Sequence, residues 1–308
     1  MKVLITGGSG YLGSQLIFKL LKKNFDIQIL DLYPPPSPLI KIISQFNNCE
    51  YVQGDLTNHH LLEKLIKKTD SVVHLAAYVG GFGSESNFGD QPKNIFDINY
   101  DSTKKITELC SKYKIQKFIF SSSCGAYGKS VNYNDETSSL NDTSTYSQTK
   151  IQSEKYITSF SDLNYIILRF PSLFGYSMKT SYKPTFNALV HDAIVKKNIS
   201  IFGPNAWRPF LHIDDATESI LTILNSPIKL VSKEIFNVGS NNLNLQKKEI
   251  ANIIKKHFPK IKVHIKNDNP NQSSYKVCFD KINSKLNYAT AYTLETGIIE
   301  MSNLNIIK

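Results

Sequence analysis

The stretch Lys2-Val-Leu-Ile-Thr6-Gly7-Gly8-Ser9-Gly10-Tyr11-Leu12-Gly13 decides the fold of this 308-residue chain. Residues 2–6 form a short apolar run that ends at glycine, which is typical of a buried parallel strand, and residues 14–23 carry apolar side chains at helical spacing. The glycines between them let the backbone turn tightly. They also let a pyrophosphate approach the amides at the helix N-terminus, where the helix dipole favours negative charge. The stretch therefore predicts a dinucleotide-binding site.

A carboxylate at the end of the next strand indicates which dinucleotide binds. The predicted strand 26–30 leads into Asp31, close to the ~20-residue offset at which an acidic residue receives the ribose hydroxyls of NAD. A negative charge at this position repels the 2′-phosphate of NADP. The expected cofactor is therefore NAD.

The composition, with 41% hydrophobic and 20% charged residues, is that of an ordinary globular protein. No apolar run approaches the ~20 residues of a membrane span, and the N-terminus enters a strand without a signal-peptide pattern. Cys49, Cys110, Cys124 and Cys278 show neither paired nor metal-like spacing. We therefore expect a cytoplasmic protein with no membrane partner and no metal.

The net charge of +10 arises from lysines spread along the chain in short pairs rather than gathered in one basic stripe. Solvated helix faces explain this pattern better than nucleic-acid binding does, so no nucleic-acid partner is expected. A field of this sign also attracts a small polyanionic substrate.

Strand patterns alternate with helical patterns through the first half of the chain. This alternation predicts an α/β fold with a Rossmann-type doubly wound parallel sheet, whose ligands gather beyond the carboxyl ends of the strands. After residue 170 the alternation loses regularity, which indicates a smaller, interleaved C-terminal lobe. We expect an NAD-binding domain over residues 1–170 with a return segment near 209–228, and a substrate lobe formed by residues 171–208 and 229–308.

Tyr146 and Lys150 stand four residues apart in a predicted helix that begins near residue 143, so they share one helical face. A neighbouring ammonium stabilises a phenolate, which can bring a tyrosine with a reference pKa of about 10 into proton exchange near neutral pH. The hydroxyl of Ser123, at the end of an adjacent predicted strand, can hydrogen-bond the same substrate oxygen. These three residues form the candidate catalytic group, whereas His74 is interpreted as a core residue.

Several motifs in this order resemble the extended short-chain dehydrogenase/reductase family, specifically its NAD-dependent nucleotide-sugar epimerase/dehydratase branch. The resemblance runs from about residue 2 to residue 300. The motifs are Thr6-Gly-Gly-Ser-Gly-Tyr-Leu-Gly13, Gly54-Asp55-Leu56, His74-Leu-Ala-Ala77, Asn99, Ser121-Ser-Ser-Cys-Gly-Ala-Tyr-Gly128, Tyr146-Ser-Gln-Thr-Lys150, Arg208-Pro-Phe-Leu-His-Ile-Asp-Asp215 and Phe236-Asn-Val-Gly239.

The resemblance implies a role for each matching residue. Tyr146 would be the proton-exchanging base, Lys150 its activator and a ligand of the nicotinamide ribose, and Ser123 the hydroxyl partner on the sugar. The implied cofactor contacts are Gly7, Gly10, Tyr11, Leu12, Gly13, Asp31, Asp55, Leu56, Leu75, Ala76, Ala77, Asn99, Ser121, Tyr146, Lys150 and Pro171. The implied substrate contacts are Gly81, Phe82, Ser123, Cys124, Ser172, Phe202 and Arg208. The family also implies a homodimer formed through helices near 94–113 and 144–160.

Departures from the family pattern bear on the reaction. Sugar 4,6-dehydratases of this family carry an Asp-Glu pair directly after the catalytic hydroxyl, where this chain has Cys124 and Gly125, so dehydration is not expected. The loop at residues 80–83 resembles that of GDP-mannose 3,5-epimerases and GDP-fucose synthases, but their catalytic cysteine matches Gly125 here. Cys124 is then either a catalytic thiol or a buried one. A second diphosphate-binding arginine, expected near residues 270–276, is missing from the sequence.

These observations predict an NAD-dependent nucleotide-sugar epimerase that acts by transient oxidation at C4 of a nucleotide-diphosphate sugar. The usual setting of such enzymes is surface polysaccharide biosynthesis. The same catalytic residues would serve a nucleotide-sugar 4-dehydrogenase or 4-keto reductase. A chain of this fold can also be a non-catalytic NAD-binding sensor or scaffold. The sequence leaves these alternatives open, together with the identities of the nucleotide and the sugar.

Overall fold

The computed structural model describes residues 1–79, 95–182, 185–266 and 273–306. The strands are β1 (Lys2–Thr6), β2 (Asp26–Asp31), β3 (Cys49–Gln53), β4 (Ser71–His74), β5 (Lys117–Ser123), β6 (Tyr133–Asn134), β7 (Tyr165–Phe170), β8 (Ser172–Phe174), β9 (Asn198–Phe202), β10 (Trp207–His212), β11 (Glu234–Asn237), β12 (Asn244–Gln246), β13 (Lys262–Lys266) and β14 (Lys276–Val277). The α-helices are α1 (Tyr11–Lys22), α2 (Ser37–Ile43), α3 (His59–Ile66), α4 (Ser102–Lys112), α5 (Thr145–Thr158), α6 (Thr185–Val195), α7 (Ile213–Asn225), α8 (Ile228–Val231), α9 (Lys247–His257), α10 (Asp280–Leu286) and α11 (Leu294–Ile306). No helix in the described ranges has both the length and the apolar character needed to cross a bilayer.

Seven parallel strands form the central sheet in the order β11-β7-β5-β4-β1-β2-β3. The chain runs outward from β1 to β3 and then returns to the other side of β1 at β4, so the strand order reverses between β1 and β4. Ligands of open α/β sheets bind at such a reversal, outside the carboxyl ends of the strands. This topology confirms the predicted Rossmann-type α/β fold.

Helices cover both faces of the central sheet and bury its strands. On one face, Leu16 of α1 and Ile220 of α7 belong to a single apolar cluster. On the other face, Leu62 of α3 and Ile106 of α4 do the same. Because both faces are covered, residues 3–5 of β1 are fully buried and apolar rather than alternating with polar residues.

Three small sheets, β8-β10-β12, β9-β13 and β6-β14, build the second lobe. Its core contains three aromatic rings, Phe174, Phe186 and Phe210. Within the predicted return segment, α7 packs against α1 of the large domain, whereas β10 pairs with β8 and β12.

The pairing of β11 bears on the domain boundaries that the sequence predicts. Residues 229–308 are assigned above to the substrate lobe, but β11 pairs with β7 as an edge strand of the central sheet. A strand of 4 residues has too little periodicity to indicate which sheet it joins, and hydrogen bonds to β7 decide its place. The rest of the domain division stays a prediction.

Candidate active site

The glycine turn brings α1 against the residues that follow β1 and β4. Gly7 has a φ of +75°, and a Cβ there would lie 2.6 Å from the amide nitrogen of Ala76. A Cβ on Gly13 would lie 2.2 Å from the carbonyl oxygen of Gly7. Gly10, which precedes α1, offers no side-chain oxygen to the first amides of the helix. These amides suit an anion at the helix N-terminus.

Asp31 lies at the carboxyl end of β2, beside the same turn. Its carboxylate accepts hydrogen bonds from the backbone N–H of Ser9, at 2.9 Å, and of Tyr33, at 3.0 Å. Further along the sheet edge, after β3, the Asp55 carboxylate accepts a 2.8 Å bond from the N–H of Thr57, and Leu56 packs against the apolar cluster. The structure therefore places these acids along one edge, as the sequence predicts.

The segment after β4 runs close to the glycine turn. The amide of Leu75 donates to the carbonyl oxygen of Thr6 at 3.1 Å, which carries Ala76 and Ala77 along the turn. Asn99 is buried, and its side chain accepts from the N–H of Tyr78 at 2.7 Å and donates to the same residue's carbonyl oxygen at 2.9 Å. Asn99 thus holds this segment in place.

Tyr11 ties the glycine turn to the smaller lobe. Its hydroxyl donates to the carbonyl oxygen of Gly175 at 2.7 Å and accepts from the amide of Asn187 at 3.1 Å. The Oγ of Ser177 donates to the carbonyl oxygen of Tyr11 at 2.7 Å. Leu12, the next residue, packs against the apolar cluster below α1.

Tyr146 and Lys150 lie in α5, whose first turn is capped by the hydroxyl of Ser144. The Nζ of Lys150 donates to the carbonyl oxygen of Ser121 at 2.7 Å, and it lies 5.8 Å from the centre of the Tyr146 ring. Ser123 closes the same strand, β5. The structure therefore brings α5 and the carboxyl end of β5 together, as the sequence predicts.

Burial acts in opposite directions on the two titratable groups of α5. It lowers the pKa of Lys150 to about 7, and the negative charge of Glu154 opposes that fall. It raises the pKa of Tyr146 to about 12. An ammonium on Lys150 would stabilise the phenolate of Tyr146 and so oppose this effect of burial.

Ser123 and Cys124 face different surroundings although they are neighbours. The Oγ of Ser123 accepts a 3.0 Å bond from the N–H of Gly125. The thiol of Cys124 is fully buried and donates to the carbonyl oxygen of Arg169 at 3.1 Å. Burial also holds the pKa of this thiol far above its usual range. The geometry favours the interpretation of Cys124 as a buried thiol.

Arg208 of β10 enters the site from the smaller lobe. Its guanidinium lies 5.0 Å from the centre of the Tyr275 ring, and its Nη1 donates to the carbonyl oxygen of Trp207 at 3.2 Å. A Cβ on Gly125 would lie 3.9 Å from the Tyr275 hydroxyl and 3.1 Å from the Oγ of Ser123. Tyr275 therefore lies beside Arg208 and Gly125. The sequence analysis does not include it, because an isolated tyrosine in this stretch carries no motif.

The remaining predicted contacts are the cofactor residue Pro171 and the substrate residues Ser172 and Phe202. Pro171 links β7 to β8, and Ser172 begins β8, opposite Phe210 of β10. Phe202, at the end of β9, is 52% exposed with the ammonium of Lys266 over its ring. The predicted contacts Gly81 and Phe82 lie outside the described residues.

Arg169 and Glu154 form a buried ion pair between β7 and α5. The sequence analysis does not include this pair. The guanidinium of Arg169 in β7 donates to the Glu154 carboxylate through Nε at 3.1 Å and Nη2 at 2.6 Å. The hydroxyl of Ser122 donates to the same carboxylate. The signal in the sequence is the spacing, because Glu154 follows Lys150 by one helical turn.

The burial and hydrogen bonds of His74 confirm that it is a core residue. Its Nδ1 lies 2.6 Å from the hydroxyl of Thr6, and its Nε2 lies 2.9 Å from that of Thr103. Burial lowers the pKa of the imidazole to about 3, so the ring is neutral.

A second histidine lies at the junction of β10 and α7. Ligand-type atoms of His212, Asp214 and Glu300 lie within 4.8 Å of one another. The ammonium of Lys19 lies 3.1 Å from the carboxylate of Asp214, and the Nε2 of His212 lies 2.9 Å from that of Glu300. The side chains of this group are thus paired with one another and with Lys19.

Comparisons with known proteins show the family to which the chain is related. A family model described as the NAD dependent epimerase/dehydratase family matches residues 3–239. The UDP-glucose 4-epimerase of Lactobacillus helveticus is 28% identical over 264 residues, which cover 78% of this chain and 77% of that protein. The dTDP-D-glucose 4,6-dehydratase of Dictyostelium discoideum is 30% identical over 275 residues, which cover 81% of this chain and 61% of that protein. The UDP-glucuronic acid 4-epimerase of Bacillus cereus, solved with UDP-glucuronic acid and NAD, superposes with a TM-score of 0.87 at 24% identity over the full length of both chains.

Proposed function

The chain belongs to the NAD-dependent epimerase/dehydratase family, and we propose that it is a nucleotide-sugar 4-epimerase. One observation carries the proposal: the Lys150 ammonium binds the carbonyl oxygen of Ser121, on the strand end that also presents Ser123, while Tyr146 lies one turn away on the same helix. β5 is the strand beside β4, and β4 borders the strand-order reversal, which supports a site at this edge.

The residues at this edge fit NAD. Gly7 and Gly13 lie so close to neighbouring backbone that a Cβ at either position would clash with the turn. The amides at the start of α1 suit a pyrophosphate. Asp31 would hold the adenosine ribose, and Lys150 the nicotinamide ribose. The chemistry that bound NAD supplies is reversible hydride transfer.

The chain's own residues handle the proton and the charge. Tyr146, as a phenolate stabilised by the Lys150 ammonium, would take the proton of the C4 hydroxyl and, as the phenol so formed, would later return it. The hydroxyl of Ser123 would hydrogen-bond the C4 oxygen and stabilise charge on it. Arg208 would bind the diphosphate of the substrate. The product would carry the C4 hydroxyl inverted, with no net consumption of cofactor.

The experiment is a proton NMR time course of the purified protein with catalytic NAD+ and a nucleotide sugar. UDP-glucose and UDP-glucuronic acid are the first substrates to try, because related proteins are named for them. Conversion to the C4 stereoisomer without loss of NAD+ is the expected result. Stoichiometric NADH would instead indicate a 4-dehydrogenase, and consumption of supplied NADH with a 4-keto sugar would indicate a 4-keto reductase.

Two further outcomes separate other classes of function. A 4-keto-6-deoxy product would mean dehydration in spite of Cys124 and Gly125. NAD binding without turnover of any sugar would favour a sensor or scaffold, although the intact Ser123, Tyr146 and Lys150 argue against one.

We also propose that the chain forms a homodimer through α4 and α5. Tyr100, just before α4, and Tyr156 of α5 stack edge to face at 6.4 Å, with Phe160 at 5.3 Å from Tyr156. Light scattering coupled to size exclusion should give twice the chain mass of 34.8 kDa.

A further inference from the structure

A line of buried charges runs from the active site into the core. Lys150 and Glu154 lie on one face of α5, and Glu154 meets Arg169 of β7 at 2.6 Å. The Lys150 residue is 2% exposed and the Glu154 residue 3%, so water screens neither charge. Going inward from Tyr146, the charges are therefore positive at Lys150, negative at Glu154 and positive at Arg169.

We propose that Glu154 is a positioning residue that keeps Lys150 charged beside Tyr146, because Arg169 holds the Glu154 carboxylate one helical turn from Lys150. The inference rests on the proposed function, in which Lys150 stabilises the phenolate. The Arg169–Glu154 pair is then part of the active site's electrostatics as well as a link between α5 and β7.

The groups around Lys150 show why one carboxylate matters. From β5, the lysine meets the carbonyl oxygen of Ser121 and the ring of Phe120, whose centre lies 4.6 Å from Nζ. From β4, His74 is neutral, since burial lowers its pKa to about 3. Of the charged groups in the described parts of the chain, Glu154 is the one that supports the protonated form of Lys150. Burial otherwise drives the ammonium towards its neutral form.

Proton counting turns this arrangement into a distinctive prediction. The active pair, phenolate with ammonium, holds the same number of protons as the inactive pair, phenol with neutral amine. The ratio of the two pairs is therefore independent of pH and is set by the nearby charges. Loss of the Glu154 charge favours the neutral amine, which lowers the plateau of kcat. It also moves the acid limb of the plot of kcat against pH to lower pH, by one pH unit for each tenfold loss of the plateau.

The first test follows Lys150 itself by NMR titration of protein labelled at the lysine side-chain carbon next to Nζ, with the signal assigned by its loss in Lys150→Met. The wild-type protein and every variant are measured with saturating NAD+. In Glu154→Gln the Lys150 pKa should fall by at least about one pH unit. The matched control is Ser122→Ala, which removes a hydrogen bond from the same carboxylate but keeps its charge, so the Lys150 pKa should stay near the wild-type value. An unchanged pKa in folded Glu154→Gln would overturn the proposal.

Glu154→Gln leaves the buried Arg169 without its partner, which can prevent folding. The double variant Glu154→Gln/Arg169→Gln removes both charges and keeps the test available. It should also lower the Lys150 pKa, by less than the single variant, because Glu154 is the nearer charge along α5. Circular dichroism melting establishes which variants are folded, and no fall in either folded variant would contradict the role assigned to Glu154.

The second test measures kcat against pH for the same variants with the substrate that the epimerase assay identifies. A tenfold lower plateau should accompany an acid limb that lies about one pH unit lower, whereas damaged folding would lower kcat uniformly without moving the limb. A lower Lys150 pKa with an unchanged kcat profile would instead refute the phenolate role of Tyr146 and Lys150 while leaving the charge effect of Glu154 standing. The two failures are thus distinguishable.

Discussion

The cofactor side of the site is shaped by backbone, whereas the substrate side is shaped by long side chains. At the glycine turn, Gly7 and Gly13 leave no space for a Cβ, and Gly10 provides no side-chain cap for the first amides of α1. Around Arg208, the contacts come from Tyr275 and Trp207, which lie on separate segments of the smaller lobe. Where backbone atoms form a binding site, few residue types fit at its positions. Where side chains form it, substitution of those side chains can change which ligand binds. Ser123, Tyr146 and Lys150 lie where the two sides meet.

Tyr146→Phe should have the largest effect on this meeting point, because it removes the proton-exchanging group without altering either side. We expect kcat to fall by about 10²–10⁴ with the affinity for NAD retained. Isothermal titration gives the affinity and the NMR time course gives kcat. Tyr156→Phe, on the same helix but bonded to Glu108, is the control and should retain activity. Retained turnover in Tyr146→Phe would sink the proposed mechanism.

Gly13→Ala tests the backbone side alone. A Cβ 2.2 Å from the carbonyl oxygen of Gly7 forces the turn and α1 apart, and overpacking of this kind costs about 1–3 kcal/mol, or roughly 5–150-fold in NAD affinity. Gly10→Ala, where the nearest contact is 3.2 Å, should cost less. Fluorescence titration with NAD+ measures both. Equal losses in the two variants would show that crowding at Gly13 does not shape the turn.

Arg208→Gln tests the substrate side. Loss of a guanidinium from a diphosphate should raise KM by about tenfold or more and leave the Kd for NAD near its wild-type value. Steady-state kinetics and isothermal titration measure the two. Lys266→Gln, which removes the cation over the exposed Phe202 ring, is the comparison and should raise KM less. A wild-type KM in Arg208→Gln would remove this residue from the site.

Asp31→Asn should give the smallest effect, one confined to cofactor choice. Without its negative charge, the preference for NAD over NADP should weaken by about tenfold, since one charge near a phosphate is worth about 1 kcal/mol or more in partly exposed surroundings. The ratio of the two dissociation constants is the measurement. Asp55→Asn, further along the edge, should leave the ratio unchanged. If NADP already binds the wild-type protein as well as NAD does, Asp31 does not select the cofactor.

The backbone side of the comparison is the part that a sequence can indicate. Glycines at required positions, Asp31 after a strand, and Tyr146 and Lys150 at helical spacing are local patterns, and the strand-order rule then places them on one edge. Tyr275 contacts Arg208, 67 residues earlier in the chain, and Arg169 pairs with Glu154, 15 residues earlier; no local period reports either contact. The pairing of β11 with β7 is likewise a contact between distant segments, which the assignment of residues 229–308 to the substrate lobe did not anticipate.

Tyr11 makes the two lobes interdependent in a way that matters for building chimeras. Its hydroxyl joins the glycine turn to Gly175 and Asn187, and Gly175 itself, at a φ of +101°, lies where a Cβ would meet the His212 ring at 2.2 Å. A new substrate lobe grafted from a relative would therefore have to bring a glycine and an amide at these two positions. Without them, Tyr11 would lose these hydrogen bonds and the glycine turn would shift. A graft intended to change sugar selectivity would then also weaken NAD binding.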